Sequence, residues 1–486
     1  MINLKNEQSL KEIKTKILES EKLKYCYECG ICTGSCPVAW IDPRHHNPRT
    51  LLRKIVFDLN EASIDPGLWM CMQCYRCHDR CPQKLDLPEI FFSVRDFAAE
   101  QGNLPDVKGK LEEVMKIIRE KHPLAAVYGW LCLRPHEELD KRTKVDKLAV
   151  DVLEHFIADR KNEKIQRIPK TRREKIAIIG SGPAGLTAAG ELVMKGYTVT
   201  VFESLSEPGG MFRVGIPSFR FPKEALDVDV NYLKNLGVEI KTNVSVGTAV
   251  AVEGLLKEGY KAIFIATGAH KSIAPNIEGE KLEGVIHALD LLSDFNKGKK
   301  INLGESVAVI GCGNVAIDAA RVALRLGAKE VNILYRRSRE EMPAMPSEVR
   351  EAENEGVKIN CLLAPKKILG KEGHVVGVEV TRMKLGALDE TGRKRPIPIA
   401  DSEFTVESKA VVLAIGESPD ISFIPKELEF TKRNTIEVNP FTLETNIPGI
   451  FAGGDVVSGP ASALEAIAAG KRAAASIDCY LKGKAS

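Results

Sequence analysis

The amino-acid sequence predicts an α/β fold of two parallel-sheet units preceded by a helical, cysteine-rich domain. Three observations support this prediction. One cysteine spacing occurs twice before residue 90, two glycine motifs each follow a short apolar strand, and near residue 173 long helical periods give way to strands that alternate with helices. Such alternation is typical of parallel sheets.

The composition bounds the class of protein. The 486 residues include 69 Lys and Arg against 66 Asp and Glu, a net charge of +3, which gives no argument for a nucleic-acid partner. The sequence contains no run of 18 apolar residues, so we expect no membrane span. The polar, charged start is unlike a secretory signal, so we expect a reducing, cytoplasmic location.

Eight of the twelve cysteines form two copies of one spacing, Cys26-x₂-Cys29-x₂-Cys32-x₃-Cys36-Pro37 and Cys71-x₂-Cys74-x₂-Cys77-x₃-Cys81-Pro82. This spacing is typical of iron–sulfur ligands, and its duplication predicts two 4Fe–4S clusters. In two-cluster ferredoxins the fourth cysteine of a run ligates the other cluster. The predicted ligand sets are therefore Cys26, Cys29, Cys32 and Cys81 for one cluster, and Cys71, Cys74, Cys77 and Cys36 for the other.

Zinc and disulfide bonds are the alternatives for these cysteines. Zinc sites use pairs of Cys-x₂-Cys rather than four cysteines with a trailing proline, and disulfides need an oxidising compartment. The remaining cysteines have no pairing spacing and are interpreted as buried or idle thiols: Cys132, Cys312, Cys361 and Cys479.

Helices are predicted around the cysteine runs. Residues 5–24 form an amphipathic pattern, and residues 88–121 continue as helices. Between the runs, apolar residues at helical spacing predict a bracing helix: Leu51, Leu52, Ile55, Val56 and Leu59. The charged segment 160–175 contains a proline and is predicted to be a linker.

The first glycine motif, Gly180-x-Gly182-x-x-Gly185, follows an apolar run and precedes a helix-like stretch. The three glycines suit a tight turn, the approach of a pyrophosphate and the packing of the helix on the sheet. Glu203 ends the next strand, where an acid accepts ribose hydroxyls. A purely structural glycine turn is the alternative. The motif predicts a dinucleotide but does not choose between FAD and NAD.

A late segment favours FAD at this first motif. Gly453-Gly454-Asp455 follows a strand and precedes a long alanine-rich helix. In flavoproteins with two dinucleotides, such an aspartate binds the ribityl or phosphate region of the flavin. Because this segment lies near the end of the chain, the flavin domain is predicted to be split around an insertion.

The second motif, Gly311-x-Gly313-x-x-Ala316, lies in that insertion, with alanine as an accepted third residue. The strand after it ends in Arg336-Arg337 instead of an acid, which favours NADP because arginine binds a 2′-phosphate. Solvated strand-end charges are the alternative. No catalytic side chain is predicted, since hydride transfer is cofactor chemistry. No Cys-x-x-Cys pair accompanies the flavin motifs, so a dithiol mechanism is not indicated.

Residues from about 120 to 486 resemble the small (beta) subunit of glutamate synthase and its relatives, including the flavin subunit of NADH-dependent ferredoxin:NADP oxidoreductase. The matching stretches include GSGPAGLTAAGEL, EPGGMFRVGIPSFRFPKE, GCGNVAIDAARVALRLGA and AGGDVVSGPASALEAIAAGKRAA. The resemblance implies a two-dinucleotide flavoprotein, with Gly215-Ile216-Pro217 lining the flavin region.

The predicted contacts follow from the motifs and this resemblance. For FAD they are Gly180, Ser181, Gly182, Pro183, Ala184, Gly185, Glu203, Gly209, Gly210, Arg220, Thr267, Gly268, Gly454 and Asp455. For NADP they are Gly311, Gly313, Asn314, Val315, Arg336, Arg337 and Gly416. The predicted segments are 1–100 for the clusters, 101–172 for a helical segment and linker, 173–300 and 409–486 for FAD, and 301–408 for NADP.

Residues 24–95 resemble instead the C subunit of heterodisulfide reductase, through CYECGICTGSCP, PRTLLR and LWMCMQCYRCHDRCPQKLDLPEI. That resemblance implies a ferredoxin-like module with two clusters that relays electrons to a partner. The chain departs from the glutamate synthase pattern at 122–140, where only Cys132 remains and the next expected cysteines are His136 and Asp140. A relay module fused to a flavin domain is the resulting interpretation.

The fusion leads to one hypothesis and several rivals. Electrons are expected to run between NADP(H), FAD, the two clusters and a partner redox subunit or ferredoxin of a larger complex. The rivals are flavin-based electron bifurcation within a transhydrogenase or hydrogenase complex, electron input to glutamate synthase, and a non-catalytic electron-transfer or scaffolding subunit.

Overall fold

The computed structural model describes residues 26–72, 74–100, 104–133, 144–247, 251–389 and 393–483. The predicted helix at 5–24 lies outside these ranges, as do His136 and Asp140. Cys132 falls within a described helix, but its side chain is not described.

Ten helices are described before the first strand: Ile31–Gly34, Pro37–Ile41, Pro48–Phe57, Leu59–Ser63, Pro66–Trp69, Arg76–Arg80, Leu87–Glu100, Leu104–Lys121, Ala125–Leu133 and Lys144–Lys161. Proline starts three of them, and asparagine or aspartate caps three; Asn47, for example, accepts the Thr50 N–H. Pro48–Phe57 is the predicted bracing helix. It buries Leu51, Leu52 and Ile55 and leaves Val56 exposed, since Val56 lies one residue beyond that face.

Sixteen strands are described: β1 Lys175–Ile179, β2 Thr198–Phe202, β3 Glu239–Lys241, β4 Tyr260–Ile265, β5 Lys271–Ser272, β6 Val285–His287, β7 Ser306–Ile310, β8 Glu330–Tyr335, β9 Lys358–Cys361, β10 Leu363–Lys371, β11 His374–Leu388, β12 Lys394–Pro398, β13 Phe404–Glu407, β14 Ala410–Leu413, β15 Glu417–Ser418 and β16 Ile450–Ala452. The charged segment after Lys161 has no regular structure until β1, as a linker would.

The first sheet is parallel, with strand order β16-β4-β1-β2-β3. Its last strand in sequence, β16, pairs with β4 after the chain has passed through the second sheet. This sheet order places the ends of β1 and β4 side by side, so the turns that follow them share one edge.

The second sheet is also parallel, with strand order β6-β14-β7-β8-β9. It extends beyond the predicted segment 301–408 on both sides, because β6 and β14 belong to it. Both strands are short and lie in segments without a glycine motif, so no local pattern in the sequence assigned them to this sheet.

Two antiparallel sheets complete the strands. β10 to β13 form one of them, with β11 at its centre, and β5 pairs with β15 where the chain crosses between the parallel sheets. The remaining helices are Pro183–Met194, Met211–Val214, Lys223–Leu236, Val252–Lys257, Ala288–Asn296, Asn314–Arg325, Pro346–Asn354, Asp455–Ser458 and Ala463–Leu481, with a 3₁₀ turn at Arg339–Glu341.

The cysteine-rich helices share a hydrophobic core with the first sheet. Trp69 and Phe91 from the first part of the chain belong to the same buried cluster as Phe264 and Leu464. The second sheet has a separate core. In the described ranges, no helix combines the length and the apolarity that a bilayer crossing requires.

Candidate redox site

The first predicted cysteine set lines a single small cavity. Cys26, Cys29, Cys32 and Cys81 surround a volume of about 20 Å³. Cys29 is exposed, so this set reaches the protein surface. We call these four residues the outer set. Cys81 comes from the second run, and its position beside the first run is the crossed arrangement expected for two clusters.

The second set, Cys36, Cys71, Cys74 and Cys77, lies deeper, and we call it the inner set. Cys36, Cys71 and Cys77 are buried and Cys74 is half-buried. Burial raises the pKa of the Cys36 thiol, and the neighbouring Cys71 and Cys74 raise it further, which places these groups together. Arg95 holds the Cys71 loop, since its Nη2 donates to the Cys71 carbonyl oxygen at 2.7 Å.

The described cysteines form no disulfide bonds with one another. Every cysteine whose side chain is described is a free thiol. In the same ranges, no three His, Cys, Asp or Glu side chains are placed around one metal ion. The assignment of each cysteine to a cluster stays a prediction.

The first glycine motif forms the turn between β1 and the helix Pro183–Met194. Gly180 has φ +99°, and a Cβ there would lie 2.5 Å from the Ala266 carbonyl oxygen, so only glycine fits. A Cβ on Gly185 would lie 2.0 Å from the Gly180 carbonyl oxygen. Gly182, by contrast, has open space where its Cβ would be. The space in front of Gly182 therefore suits the close approach of a diphosphate to the backbone.

Glu203, at the end of β2, is buried beside this turn. Its Oε2 accepts the Ser181 N–H at 2.9 Å and the Ser181 hydroxyl, and its Oε1 accepts the Leu205 N–H at 2.8 Å. These bonds fix the carboxylate at the edge of the cavity where a ribose would lie.

Asp455 begins the helix Asp455–Ser458 and follows Gly454, which packs against Ala184 beside the glycine turn. Burial raises the pKa of its carboxyl to about 7, and the negative charges of Glu465 and Glu417 add to the effect, although the Ala461 N–H opposes it. A carboxyl held in this way is suited to hydrogen-bond a bound hydroxyl.

One cavity of about 1350 Å³ joins the two glycine turns. Its size exceeds that of an ordinary small-molecule pocket, as two dinucleotides require. Predicted contacts that line it are Gly180, Ser181, Gly182, Pro183, Ala184, Glu203, Gly210, Arg220, Thr267, Gly268, Gly454, Asp455, Gly311, Gly313, Asn314, Val315, Arg336, Arg337 and Gly416. Gly185 and Gly209 do not line it: Gly185 packs beneath the turn, and the Gly209 N–H donates to the Ser181 hydroxyl at 3.0 Å.

Arg220 has a second role that the sequence did not reveal. It lines the cavity as expected, but its Nη1 contacts both carboxylate oxygens of Asp318 at 2.6 Å, and its Nη2 contacts Glu348 at 2.8 Å. Asp318 and Glu348 belong to the helices packed around the second sheet. Arg220 therefore ties the flavin-side segment to the second dinucleotide unit.

The two arginines after β8 differ. Arg336 is exposed, whereas Arg337 is buried, with its Nη2 on Asp389 at 2.6 Å and its Nε on the Lys394 carbonyl oxygen at 3.0 Å. Both line the cavity, and so does Arg393 from the loop before β12. The prediction missed Arg393, for which the basic run GRKRP is the available signal.

The loop of the inner cysteine set lines the same cavity as the glycine turns. Met72, Cys74 and Arg76 all contribute to its wall. The Nη2 of Arg76 lies 2.6 Å from the Glu465 Oε1, on the helix that follows Asp455. The expected electron path required the cluster loops to lie near the flavin, but no local pattern indicated the residues in contact, because they come from opposite ends of the chain. Cys74 and Cys312 are the described cysteines in the wall, and no described cysteine pair forms a dithiol there.

Comparison with known proteins identifies the family of each part of the chain. Residues 174–470 match the pyridine nucleotide-disulphide oxidoreductase family, and residues 22–85 match a 4Fe-4S dicluster domain. FprA from Mycobacterium tuberculosis, solved in complex with NADPH, shares the fold with a TM-score of 0.57 and 22% identity, over 64% of this chain and 85% of that chain.

Three curated relatives are similar over most of the chain. The NADP(+)-dependent formate dehydrogenase subunit beta of Moorella thermoacetica is 42% identical, over 84% of this chain and 60% of that protein. The NADPH-Fe(3+) oxidoreductase subunit beta of Geobacter sulfurreducens is 38% identical, over 84% and 64%. The glutamate synthase (NADPH) small chain of Azospirillum brasilense is 34% identical, over 79% and 85%. The chain thus spans less than two thirds of the length of the first two.

These matches confirm the predicted fold class and the fusion of an iron–sulfur module with a flavin domain. The cofactors are FAD, NADP(H) and two 4Fe–4S clusters, and the chain is an oxidoreductase. The chain belongs to the pyridine nucleotide-disulphide oxidoreductase family and carries a 4Fe-4S dicluster domain at its N-terminal side.

Proposed function

We propose that this subunit connects NADP(H) to a partner redox protein through its flavin site and its two cysteine sets. The observation that carries the proposal is the shared cavity, whose wall contains both glycine turns and Cys74 of the inner set. When bound, FAD exchanges a hydride with the nicotinamide and single electrons with iron–sulfur clusters. One cavity that serves both exchanges accounts for the fusion.

The residues of the cavity have separate tasks in this proposal. The Gly180–Gly182 turn and the N-terminus of the helix Pro183–Met194 bind the FAD diphosphate, and Glu203 binds the ribose. Arg336, exposed at the end of β8, binds the 2′-phosphate of NADP(H). The apolar residues of the wall, such as Met72, exclude water from the reacting groups.

The two cysteine sets take a fixed order. The inner set borders the flavin side through Cys74, and the outer set reaches the surface through Cys29. Electrons that leave the flavin side therefore meet the inner set first and the partner meets the outer set. By similarity to the Moorella and Geobacter subunits, we propose that the partner is a redox subunit of the same complex or a ferredoxin.

Serine substitutions in the two sets test this order. With anaerobic protein, NADPH-dependent reduction of ferricyanide at the flavin should persist in both Cys74→Ser and Cys29→Ser. Reduction of a one-electron protein acceptor such as ferredoxin should be lost in both, but NADP(H) should still change the redox state of the inner cluster in Cys29→Ser.

Cys479→Ser, outside both runs, is the matched control and should behave as the wild type. If Cys74→Ser reduces the protein acceptor at the wild-type rate, electrons bypass the inner set and the proposal is wrong.

Flavin-based electron bifurcation is a second candidate function. The observation that favours it is that a cluster loop and the nicotinamide site border one flavin cavity, which gives a flavin two different electron partners. A complex that bifurcates should oxidise NADPH only when ferredoxin and a second acceptor are both present, with equal numbers of electrons going to each. Independent reduction of either acceptor alone would exclude it.

Electron input to a glutamate synthase is a third candidate, favoured by 34% identity to the Azospirillum small chain over 85% of that protein. Co-purification with a large synthase chain and NADPH-dependent glutamate formation would support it. A partner without that activity would exclude it.

A further inference from the structure

We propose that Arg76 and Glu465 form an opposed charge pair that sets the reduction potential of the inner cluster. The inference rests on the proposed function for its meaning, since it assigns a cluster to the inner cysteine set. It concerns residues to which neither the cysteine spacing nor the glycine motifs give a role.

Arg76 is built into the inner loop. It lies between Cys74 and Cys77 and starts the helix Arg76–Arg80, after Tyr75 in the left-handed conformation at φ +59°. Its guanidinium also lies over the ring of Trp40, 5.9 Å from the ring centroid. These contacts hold the guanidinium beside the cysteines, and the Arg76 side chain is accordingly only 30% exposed.

Glu465 is fixed equally well on the flavin side. Its Oε1 contacts Arg76 at 2.6 Å, and its Oε2 accepts the Ser462 N–H at 3.0 Å and the Ser462 hydroxyl at 2.9 Å. The Ser462 N–H bond and the reciprocal bond from the Glu465 N–H to the Ser462 Oγ at 3.4 Å form the capping box of the helix Ala463–Leu481. The carboxylate is 16% exposed, so both members of the pair are held in a partly desolvated position at the cavity wall.

The two charges act on the inner set with opposite signs. Arg76 lies two residues after Cys74, and Glu465 contacts Arg76 at 2.6 Å in the wall that also contains Cys74, so a positive and a negative charge both lie beside the inner set. Reduction of a cluster adds negative charge at the same place. Arg76 therefore favours the reduced cluster and Glu465 favours the oxidised one, and the low-dielectric surroundings strengthen both effects.

The test is an anaerobic redox titration of the full, cluster-loaded chain, with the cluster signals followed by electron paramagnetic resonance. The inner cluster is identified as the signal that Cys74→Ser removes. Arg76→Gln should lower its midpoint potential, and Glu465→Gln should raise it. Glutamine retains the capping box at position 465, so the helix start is preserved. The double variant should lie between the two single variants.

Two controls sharpen the result. Arg76→Lys keeps the charge and should retain most of the potential, and Arg433→Gln removes an exposed arginine and should leave it unchanged. If the ion pair served only to hold the loop in place, both single variants would shift the midpoint potential in the same direction, because each breaks the same ion pair. That outcome would overturn the inference. If the wild-type clusters exchange no electrons with NADP(H), the proposed function is wrong. The effect of the two charges on the cluster potential can still be measured in that case, because the titration does not use NADP(H).

Discussion

The two adjacent arginines after β8 have different surroundings. Arg336 is placed to bind a ligand, whereas Arg337 stabilises the fold. Arg336 is exposed at the cavity wall, so its guanidinium can meet a phosphate. Arg337 is 5% exposed and bound to Asp389 and the Lys394 carbonyl oxygen. Removal of a buried partner leaves an uncompensated charge, whereas removal of an exposed one leaves only solvent. The sequence showed two equivalent arginines, because the hairpin that engages Arg337 lies more than fifty residues further along the chain.

Arg336→Gln should raise the KM for NADPH roughly tenfold or more, the size expected for one charge-assisted hydrogen bond. The KM for NADH, which has no 2′-phosphate, should not change. Steady-state reduction of ferricyanide with each nucleotide measures both values. Arg339→Gln, which removes an exposed arginine on the same segment that pairs with Glu353, is the control. Equal effects on NADPH and NADH would contradict the assignment.

At the scale of the element, the glycine turns were the best-predicted part of the chain. At each motif a strand leads into a tight turn and then a helix, because these steps depend on neighbouring residues alone. The pairing of β6 and β14 with the second sheet depends on distant segments, and no local pattern indicated it. The same holds for Arg220, whose contacts with Asp318 and Glu348 join two units.

Gly182→Ala and Gly185→Ala should therefore fail in different ways. A Cβ on Gly182 meets nothing in the structure, so this variant should fold but bind FAD weakly, because the methyl group occupies the space for the diphosphate. A Cβ on Gly185 clashes with the Gly180 carbonyl oxygen, so this variant should lose stability. Flavin content after reconstitution and the thermal unfolding midpoint separate the two effects. A flavin-replete Gly182→Ala protein would contradict the placement.

The helices Asn314–Arg325 and Pro346–Asn354 are joined by a buried ion pair. Glu355 contacts the Nη2 of Arg321 at 2.6 Å and the Nη1 of Arg325 at 2.7 Å. Burial alone would raise the pKa of Glu355, but the hydrogen bonds from Arg325 and Arg321 outweigh it and lower the pKa to about 2. Because the folded pKa lies below the ordinary value, the contribution to stability is complete above about pH 4.5 and is lost as the pH falls towards 2.

Glu355→Gln should lower the free energy of unfolding at pH 7 by roughly 2–3 kcal/mol, since it breaks a buried pair. The difference from the wild type, measured as the thermal unfolding midpoint, should be smaller at pH 3.5 than at pH 7. Glu353→Gln removes a more exposed pair with Arg339 and should change stability by less than about 1 kcal/mol. A difference that grows towards acid pH would contradict the argument.

At the scale of the whole molecule, ion pairs join the three units of the chain. Arg76 joins the cysteine loops to the helix after Asp455, Arg220 joins the flavin side to the second unit, and Arg350 lies 3.8 Å from Glu89 of the cysteine-rich domain. The sequence predicted the cofactors, because each has its own motif. The expected electron path required the motifs to meet, but no local pattern showed which residues join them, since those contacts depend on packing between distant segments.

The most direct test of the account is electron exchange between NADP(H) and the clusters in the wild-type chain. Anaerobic protein should contain about eight irons per chain, the number for two 4Fe–4S clusters. Its cluster signals should appear on addition of NADPH, or disappear from pre-reduced protein on addition of NADP⁺ with formation of NADPH. Clusters that dithionite reduces, but that respond to neither nucleotide while the flavin absorbance does, would contradict the account.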